Sequence, residues 1–429
     1  MTYQQAVDYI HSLLKFGIKP GFERINTLLD MLGNPQKKLS FIHVAGTNGK
    51  GSTCNMMSNI CICSSMKTGL FTSPYVVDFC ERIQINGEMI SHDDLVKCVE
   101  KIKPLVEKAT AIGFAPTEFE VITAIAFDYF AEQKCDIVVL EVGLGGRLDS
   151  TNVIENPVST IITSVSYDHM NILGNTIEEI AAEKAGIIKH KVPVTVYVNQ
   201  NKNALRVIRE KAEEMKSLLI LPNAEQLEIV SENIDETVFK YNDIEYHIHL
   251  IGKHQVFNAL SVIEACKQLE KDGLPISEES IKKGIAATTV PARMEVLSKQ
   301  PLIVIDGGHN ADCANALKNV LSHFLKGKKI LALCGMMEDK EYKKYIQILS
   351  DNFDAMYCAT PDNPRSLSAE NLCECAGEFV RECRAFDTIE NAVDSALTAL
   401  DGYDALVICG SFYLACDVRN IILKKYSDK

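Results

Sequence analysis

The sequence predicts an α/β protein of two domains, and three observations carry that prediction. Short, continuous runs of apolar and β-branched residues alternate with longer helical stretches along most of the chain, the rhythm of largely parallel sheets covered by helices. The first such run, Phe41 to Ala45, ends in a glycine-rich turn that opens a helix, and ligands of open α/β sheets bind at such strand ends. From Pro301 onward the alternation is regular, with strands near 302–306, 330–334, 354–358, 384–386 and 405–409, each followed by a helical segment. The polar, proline-bounded stretch from Pro291 to Pro301 reads as a linker. The boundary therefore falls between a first domain, 1–296, and a smaller second domain, 297–429.

In chain order, residues 1–40 read as two helices around a Gly-Ile-Lys-Pro-Gly turn. The strand Phe41 to Ala45 follows, then a helix to about Cys63, and a second strand from Ser65 to Phe71 that closes on Thr72-Ser73-Pro74. Glu81 to Ile90 reads as a hairpin about Asn-Gly. Helices are expected over 91–110 and 117–134. Cys135 to Glu141 is an apolar strand ended by a carboxylate, and Val158 to Ser164 is the next strand, leading to Asp168-His169. Glu178 to Ile188 is helical, Glu236 to Leu250 is a hairpin about Asn242-Asp243, and Lys253 to Leu269 and Ser277 to Ala287 are further helices.

Composition narrows the function. A net charge of −13 argues against a broad nucleic-acid or membrane surface. No stretch approaches the roughly 18 apolar residues of a membrane span, and the first residues lack the basic flank and apolar block of a secretion signal. The 15 cysteines are scattered, odd in number and without a Cys-x-x-Cys pair, which points to free thiols in a reducing cytoplasm.

The turn Gly46-Thr-Asn-Gly-Lys-Gly-Ser52 reads as a phosphate cradle. Gly46 and Gly49 permit a tight bend whose N–H groups converge, the helix start adds positive potential, and Lys50 supplies a charge to the phosphates. Ser52 or Thr53 offers a hydroxyl to Mg²⁺ or phosphate, so a nucleoside triphosphate is the natural ligand. Val44 replaces the first glycine of the general P-loop pattern, and Gly51 follows the lysine in place of Ser or Thr. That variant resembles the ATP loop of the Mur ligase superfamily in its folylpolyglutamate synthase/dihydrofolate synthase form. The likeness extends to Leu140-Glu-Val-Gly-Leu-Gly-Gly-Arg-Leu-Asp-Ser-Thr-Asn152 and to Cys409-Gly-Ser-Phe-Tyr-Leu414.

The resemblance implies roles for individual residues. Asn48, Gly49, Lys50, Gly51 and Ser52 would hold ATP, with Asn258 against the adenine, Arg293 at the phosphates and Asp306 at the ribose. Ser73, Glu141 and His169 would hold Mg²⁺, with two metal sites expected. On the residues alone, Glu141 is a strand-end carboxylate suited to a hard cation. Lys184 would be carbamylated and help hold the second metal, although by itself it reads as an exposed helix lysine. Lys50, Lys184 and His309 form the catalytic set. Thr117, Phe119, Glu120, Leu148, Asp149 and Ser150 match positions that line a pterin site. Two departures stand out: Pro-Ala-Arg293 in place of Pro-Gly-Arg, and Gly308 with Ala311 in place of Asp-Gly-Ala-His-Asn-Pro.

The implied fold is a P-loop-type, mostly parallel sheet domain with flanking helices plus a smaller Rossmann-like domain. The implied protein is a monomeric ligase joining L-glutamate to dihydropteroate or reduced folate at an ATP site assembled by the two domains. A ligase for another carboxylate and a nucleotide switch are the alternatives. The Asn-Lys-x-Asp motif of a GTPase is absent from the sequence, which weakens the second.

Overall fold

The computed structural model describes residues 1–17 and 19–427. They divide into two compact units: 1–228 with 240–247 and 256–288, and 229–239 with 248–255 and 289–429. The division expected after residue 296 lies inside the second unit.

The first unit is built on eight strands: β1 Phe41–Ala45, β2 Thr68–Phe71, β3 Ile83–Ile85, β4 Glu88–Met89, β5 Ile137–Glu141, β6 Ser159–Ile162, β7 Val194–Val196 and β8 Leu219–Ile220. Their order is β4-β3-β2-β5-β1-β6-β7-β8, with every pair from β2 to β8 parallel and β3 and β4 antiparallel at one edge. β1 sits at the centre and is buried along its whole length, because helices cover both faces of a parallel sheet. One core contains Phe41, Phe71, Phe127 and Phe130, and another contains Ala45, Val142, Ile162 and Ile180. Since β2, β5, β1 and β6 run the same way, their C-terminal ends share one edge. That edge carries Ser73, Glu141, the glycine turn and the segment leading to His169.

Local chemistry fixes the helices around this sheet. Thr117 caps the helix Glu118–Glu132 through a capping box with Glu120, and Thr176 with Glu179 does the same for the helix Ile177–Ala185. The helix Lys50–Cys63 buries most of its circumference, Ser52, Cys54, Ser58 and Cys61 as well as Thr53, Met56, Met57 and Ile60, and leaves the Asn55 and Asn59 side partly exposed. It is therefore an inner helix and shows little amphipathic signal.

A three-stranded sheet follows, ordered β11-β10-β9, from β9 Leu227–Glu232, β10 Thr237–Tyr241 and β11 Ile244–Ile248. Asn242 and Asp243, both at positive φ (52° and 63°), make the expected turn between β10 and β11.

The second unit holds a six-stranded sheet: β12 Glu295–Lys299, β13 Leu302–Ile305, β14 Ile330–Cys334, β15 Ala355–Ala359, β16 Cys383–Phe386 and β17 Ala405–Cys409. The order is β12-β13-β17-β14-β15-β16, parallel except for β12. β12 corrects the expected linker: Glu295 to Lys299 pairs antiparallel with β13. As an edge strand with no fully buried residue, it carries a polar composition that conceals it.

Among the described residues no helix is long and apolar enough to cross a membrane. Among the described residues none of the 15 cysteines is in a disulfide, and the closely spaced pairs Cys61/Cys63 and Cys373/Cys375 lie on helices as expected.

Candidate functional site

The glycine turn is held from both sides. Thr47 N–H donates to Ser164 O at 2.7 Å, Ser166 N–H donates to Thr47 Oγ1 at 3.1 Å, and Asn48 Nδ2 donates to Ser166 Oγ at 3.3 Å. The chain after β6 thus clamps the turn. Gly49 has φ 85°, and a Cβ there would lie 2.7 Å from Asn258 Oδ1. Only glycine meets both conditions. Asn258 is buried and packs over the turn, so the structure brings this sequence-predicted residue to the loop. Lys50 begins the helix and donates from Nζ to the Gly46 and Thr47 carbonyls, each at 3.2 Å. Ser52 is buried in the first turn of that helix, and Thr53 Oγ1 is buried without a hydrogen-bond partner.

Glu141 ends β5 beside this turn. A Cβ on Gly51 would sit 3.8 Å from Glu141 Oε2, and the same oxygen accepts from Ser73 N–H at 3.2 Å. The carboxylate is 3% exposed, which a charge tolerates only with polar or ionic partners. His169 adopts φ 49° and precedes the short helix Met170–Leu173, with its N–H donating to Asp168 Oδ1 at 2.9 Å.

Lys184 departs most from its ordinary reading. It is 3% exposed, not a surface lysine, and donates to Gly46 O at 2.8 Å. Burial, then the positive charge of Lys50, lower its pKa from 10.5 to about 7, against the opposing pull of Asp168, Asp149 and Glu183. Two ammonium groups share one backbone carbonyl. Its helix can come this close because a Cβ on Gly146 would lie 2.9 Å from Glu183 O. Arg147 N–H donates to that same oxygen at 2.7 Å.

The residues matched to a pterin site separate by what already engages them. Asp149 Oδ2 accepts from Leu144 N–H at 2.9 Å, and Oδ1 accepts from Thr151 N–H and Oγ1–H at 3.0 and 2.5 Å. Burial raises its carboxyl pKa and those hydrogen bonds oppose the rise. Glu120 is also buried, accepting from Thr117 N–H at 2.7 Å and pairing with Arg24 at 3.1 Å. Thr117 and Glu120 thus define the helix start, and Asp149 caps the turn Ser150–Val153. Phe119 is half-buried against Gly143 and Phe71, its ring centre 5.9 Å from that of Phe71. Leu148 and Ser150 are partly exposed.

Sequence reasoning missed His43. It lies in the middle of β1, fully buried, with Nε2 2.9 Å from Thr151 Oγ1. Because the Thr151 hydroxyl donates to Asp149, His43 Nε2–H is the donor here, and burial lowers its pKa to about 3. The signal was one polar residue inside Phe-Ile-His-Val-Ala.

In the second unit Asp306 follows β13. Its Oδ1 accepts from Gly308 N–H at 2.9 Å and its Oδ2 from Met294 N–H at 3.1 Å. Arg293 lies over the Phe412 ring, 5.3 Å from its centre. Ala292, in place of the family glycine, holds φ 55°, a costly conformation for a residue with a Cβ. His309 is half-buried and Asn310 caps the next helix. His254, which no sequence pattern singled out, is half-buried where it feels Asp306, Asp312 and Arg293, and desolvation lowers its pKa. A Cβ on Gly308 would lie 2.6 Å from Cys313 Cβ, so here the thiol-bearing side chain fills the place of the family alanine.

Two family models match the chain: the Mur ligase middle domain over residues 44–266, and the Mur ligase glutamate ligase domain over residues 292–412. The chain is 39% identical to the dihydrofolate synthase/folylpolyglutamate synthase of Bacillus subtilis, across 97% of this chain and 98% of the relative. It superposes on the folylpolyglutamate synthase of Mycobacterium tuberculosis, solved with ADP and AMPPCP, with a TM-score of 0.89 at 29% identity over 98% and 99% of the two chains. The Escherichia coli FolC protein, solved with DHPP and ADP, gives 0.86 at 29% identity over 98% of each chain.

Proposed function

The chain belongs to the folylpolyglutamate synthase/dihydrofolate synthase family of Mur ligases, and from that premise we propose how its residues perform ATP-dependent ligation. The reaction joins L-glutamate to dihydropteroate or a reduced folate. The single observation that carries this reading is the convergence of Glu141, Ser73 and Lys184 on the Lys50 turn at one sheet edge.

A carboxylate resists attack by an amine because its charge repels the nucleophile and its oxygen leaves poorly. Phosphoryl transfer from ATP removes both obstacles by making an acyl phosphate. The backbone N–H groups of the turn and the Lys50 ammonium receive charge on the phosphates. Lys50 must leave its own loop carbonyls to do so, which costs two weak hydrogen bonds. Glu141 offers hard oxygen beside the turn, and Ser73 and His169 complete a donor set that suits Mg²⁺. When bound, the cation neutralises phosphate charge. Lys184, with its lowered pKa, is suited to carbamylation, and the new carboxylate would complete a second cation site. Asp306, Arg293, Asn258 and His309 are assigned to the nucleotide, and Phe119, Leu148 and Ser150 to the pterin ring. Thr117, Glu120 and Asp149 act mainly by shaping that site, since their polar atoms are already engaged. The free thiols support a reducing, cytoplasmic setting, and we take the working form as a monomer.

The test is isotopic. Acceptor labelled with ¹⁸O in its carboxylate yields singly labelled phosphate and ADP, only when glutamate is present. Unlabelled phosphate, or AMP and pyrophosphate, refutes the acyl phosphate.

A further inference from the structure

The loop after β2 closes on itself. Thr72 N–H donates to Arg82 O at 3.1 Å, and the Glu81 carboxylate accepts from the N–H groups of Val76, Val77 and Asp78 at 2.7, 2.7 and 2.9 Å. Asp78 caps the short turn Phe79–Arg82. Its Oδ1 takes two donors, Cys80 N–H and the Tyr3 hydroxyl, each at 2.8 Å. Its Oδ2 lies 2.9 Å from His92 Nε2. The His92 ring stacks on Tyr3, with centres 3.7 Å apart and planes 8° apart. The ligand atoms of Asp78, Cys80 and His92 all fall within 4.8 Å of one another, the one such trio of His, Cys, Asp or Glu among the described residues.

We propose that Asp78, Cys80 and His92 bind a borderline-soft divalent cation of the zinc type, at a site separate from the nucleotide and its Mg²⁺. Capping a turn requires only Oδ1 of Asp78. It does not explain an imidazole on the other oxygen with a thiol within 4.8 Å of both ligand atoms. One sulfur, one imidazole nitrogen and one carboxylate oxygen select zinc or cobalt over magnesium, a hard cation that disfavours thiolate sulfur. Tetrahedral bonds of about 2.0–2.3 Å place donor atoms roughly 3.3–3.7 Å apart. The widest separation therefore closes by at most about an ångström, which the His92 side chain, 55% exposed, can supply. The Tyr3 hydroxyl and Cys80 N–H provide the outer hydrogen bonds that orient a metal-bound carboxylate. Asp93 and Asp94 in the first turn of the helix His92–Ala111 offset the positive potential of its start.

On binding, the metal–sulfur bond forms as the Cys80 thiol releases its proton to solvent, and water completes the coordination. The cation then ties the loop that begins at Ser73 to the helix His92–Ala111 and, through Asp78, to Tyr3 of the first helix. It acts as a clasp on one wall of the catalytic edge.

The experiment titrates Co²⁺ into the whole chain, with a phosphine reductant and excess Mg²⁺, and follows thiolate-to-cobalt charge-transfer absorption. Because the chain has 15 cysteines, the variants decide. The expected result is one Co²⁺ per chain, displaced by Zn²⁺, with the band abolished in Cys80→Ala and affinity at least tenfold lower in His92→Ala. Zn²⁺ should also raise the melting temperature of the parent but not of His92→Ala, whose exposed position leaves folding intact. Absence of the band in the parent, or parental band and affinity in either variant, overturns the site.

Discussion

Lys184 gives the most quantitative prediction. An ordinary lysine with a pKa of 10.5 has about one amine in 3,000 neutral at pH 7, whereas a pKa near 7 leaves about half neutral. Only the neutral amine attacks carbon dioxide, giving a carbamate and releasing one proton, so the pocket raises the reactive fraction by roughly 1,500-fold. The carbamate retains an N–H, and the 2.8 Å bond to Gly46 O can persist. The unmodified amine also marks stability. Its folded pKa lies below its unfolded one, so the charged form carries the burial penalty below pH 7. As pH rises from 7 to 10.5 the native state sheds its proton first and gains stability, by at most about 5 kcal/mol. The assay is carbon NMR with ¹³C-bicarbonate on the parent and on Lys184→Arg. We expect one slow-exchanging carbamate signal with a midpoint near pH 7, absent from the variant. Lys184→Ala should lose activity and recover part of it with short carboxylic acids. A carbamate signal that survives in Lys184→Arg, or that rises only near pH 10, would refute the reasoning.

Three further outcomes follow from the geometry. Lys50→Ala should lose turnover by at least a hundredfold while the melting temperature stays within the range of an ordinary surface change, about 0.5 kcal/mol; retained activity would end the phosphate role. Glu141→Gln keeps the volume but removes the anion, so the Mg²⁺ concentration for half-maximal rate should rise steeply, as a metal titration of initial rates would reveal. Gly308→Ala, which restores the family residue, should cost about 1–3 kcal/mol in denaturant unfolding because its Cβ meets that of Cys313 at 2.6 Å.

The division between sequence and tertiary structure follows from distance along the chain. Consecutive residues settle the local features. Phe41–Ala45 is a buried strand, Gly49 takes the left-handed bend, Thr117 with Glu120 starts a helix, and Asn242-Asp243 turns a hairpin. Each depends on φ/ψ preference or a hydrogen bond within a few residues, so composition in a short window suffices. The linker reading failed by the same logic, because the β12 edge strand owes its structure to β13 and not to its own polar residues. The site itself is non-local. Glu141 reaches the turn only because β5 pairs beside β1 with Val44 opposite it. Lys184 reads as an ordinary helix lysine until its helix packs on the glycine loop and buries the ammonium against a carbonyl 138 residues away. Glu120 is buried against Arg24, a pairing across 96 residues, whereas Asp149 takes its donors from Leu144 and Thr151 close by in the chain. Sequence therefore specified which groups could carry charge and hydrogen bonds. Sheet order and helix approach decided which were desolvated, which were already satisfied, and which remained available for chemistry, because burial and pKa depend on surroundings that no short stretch of chain contains.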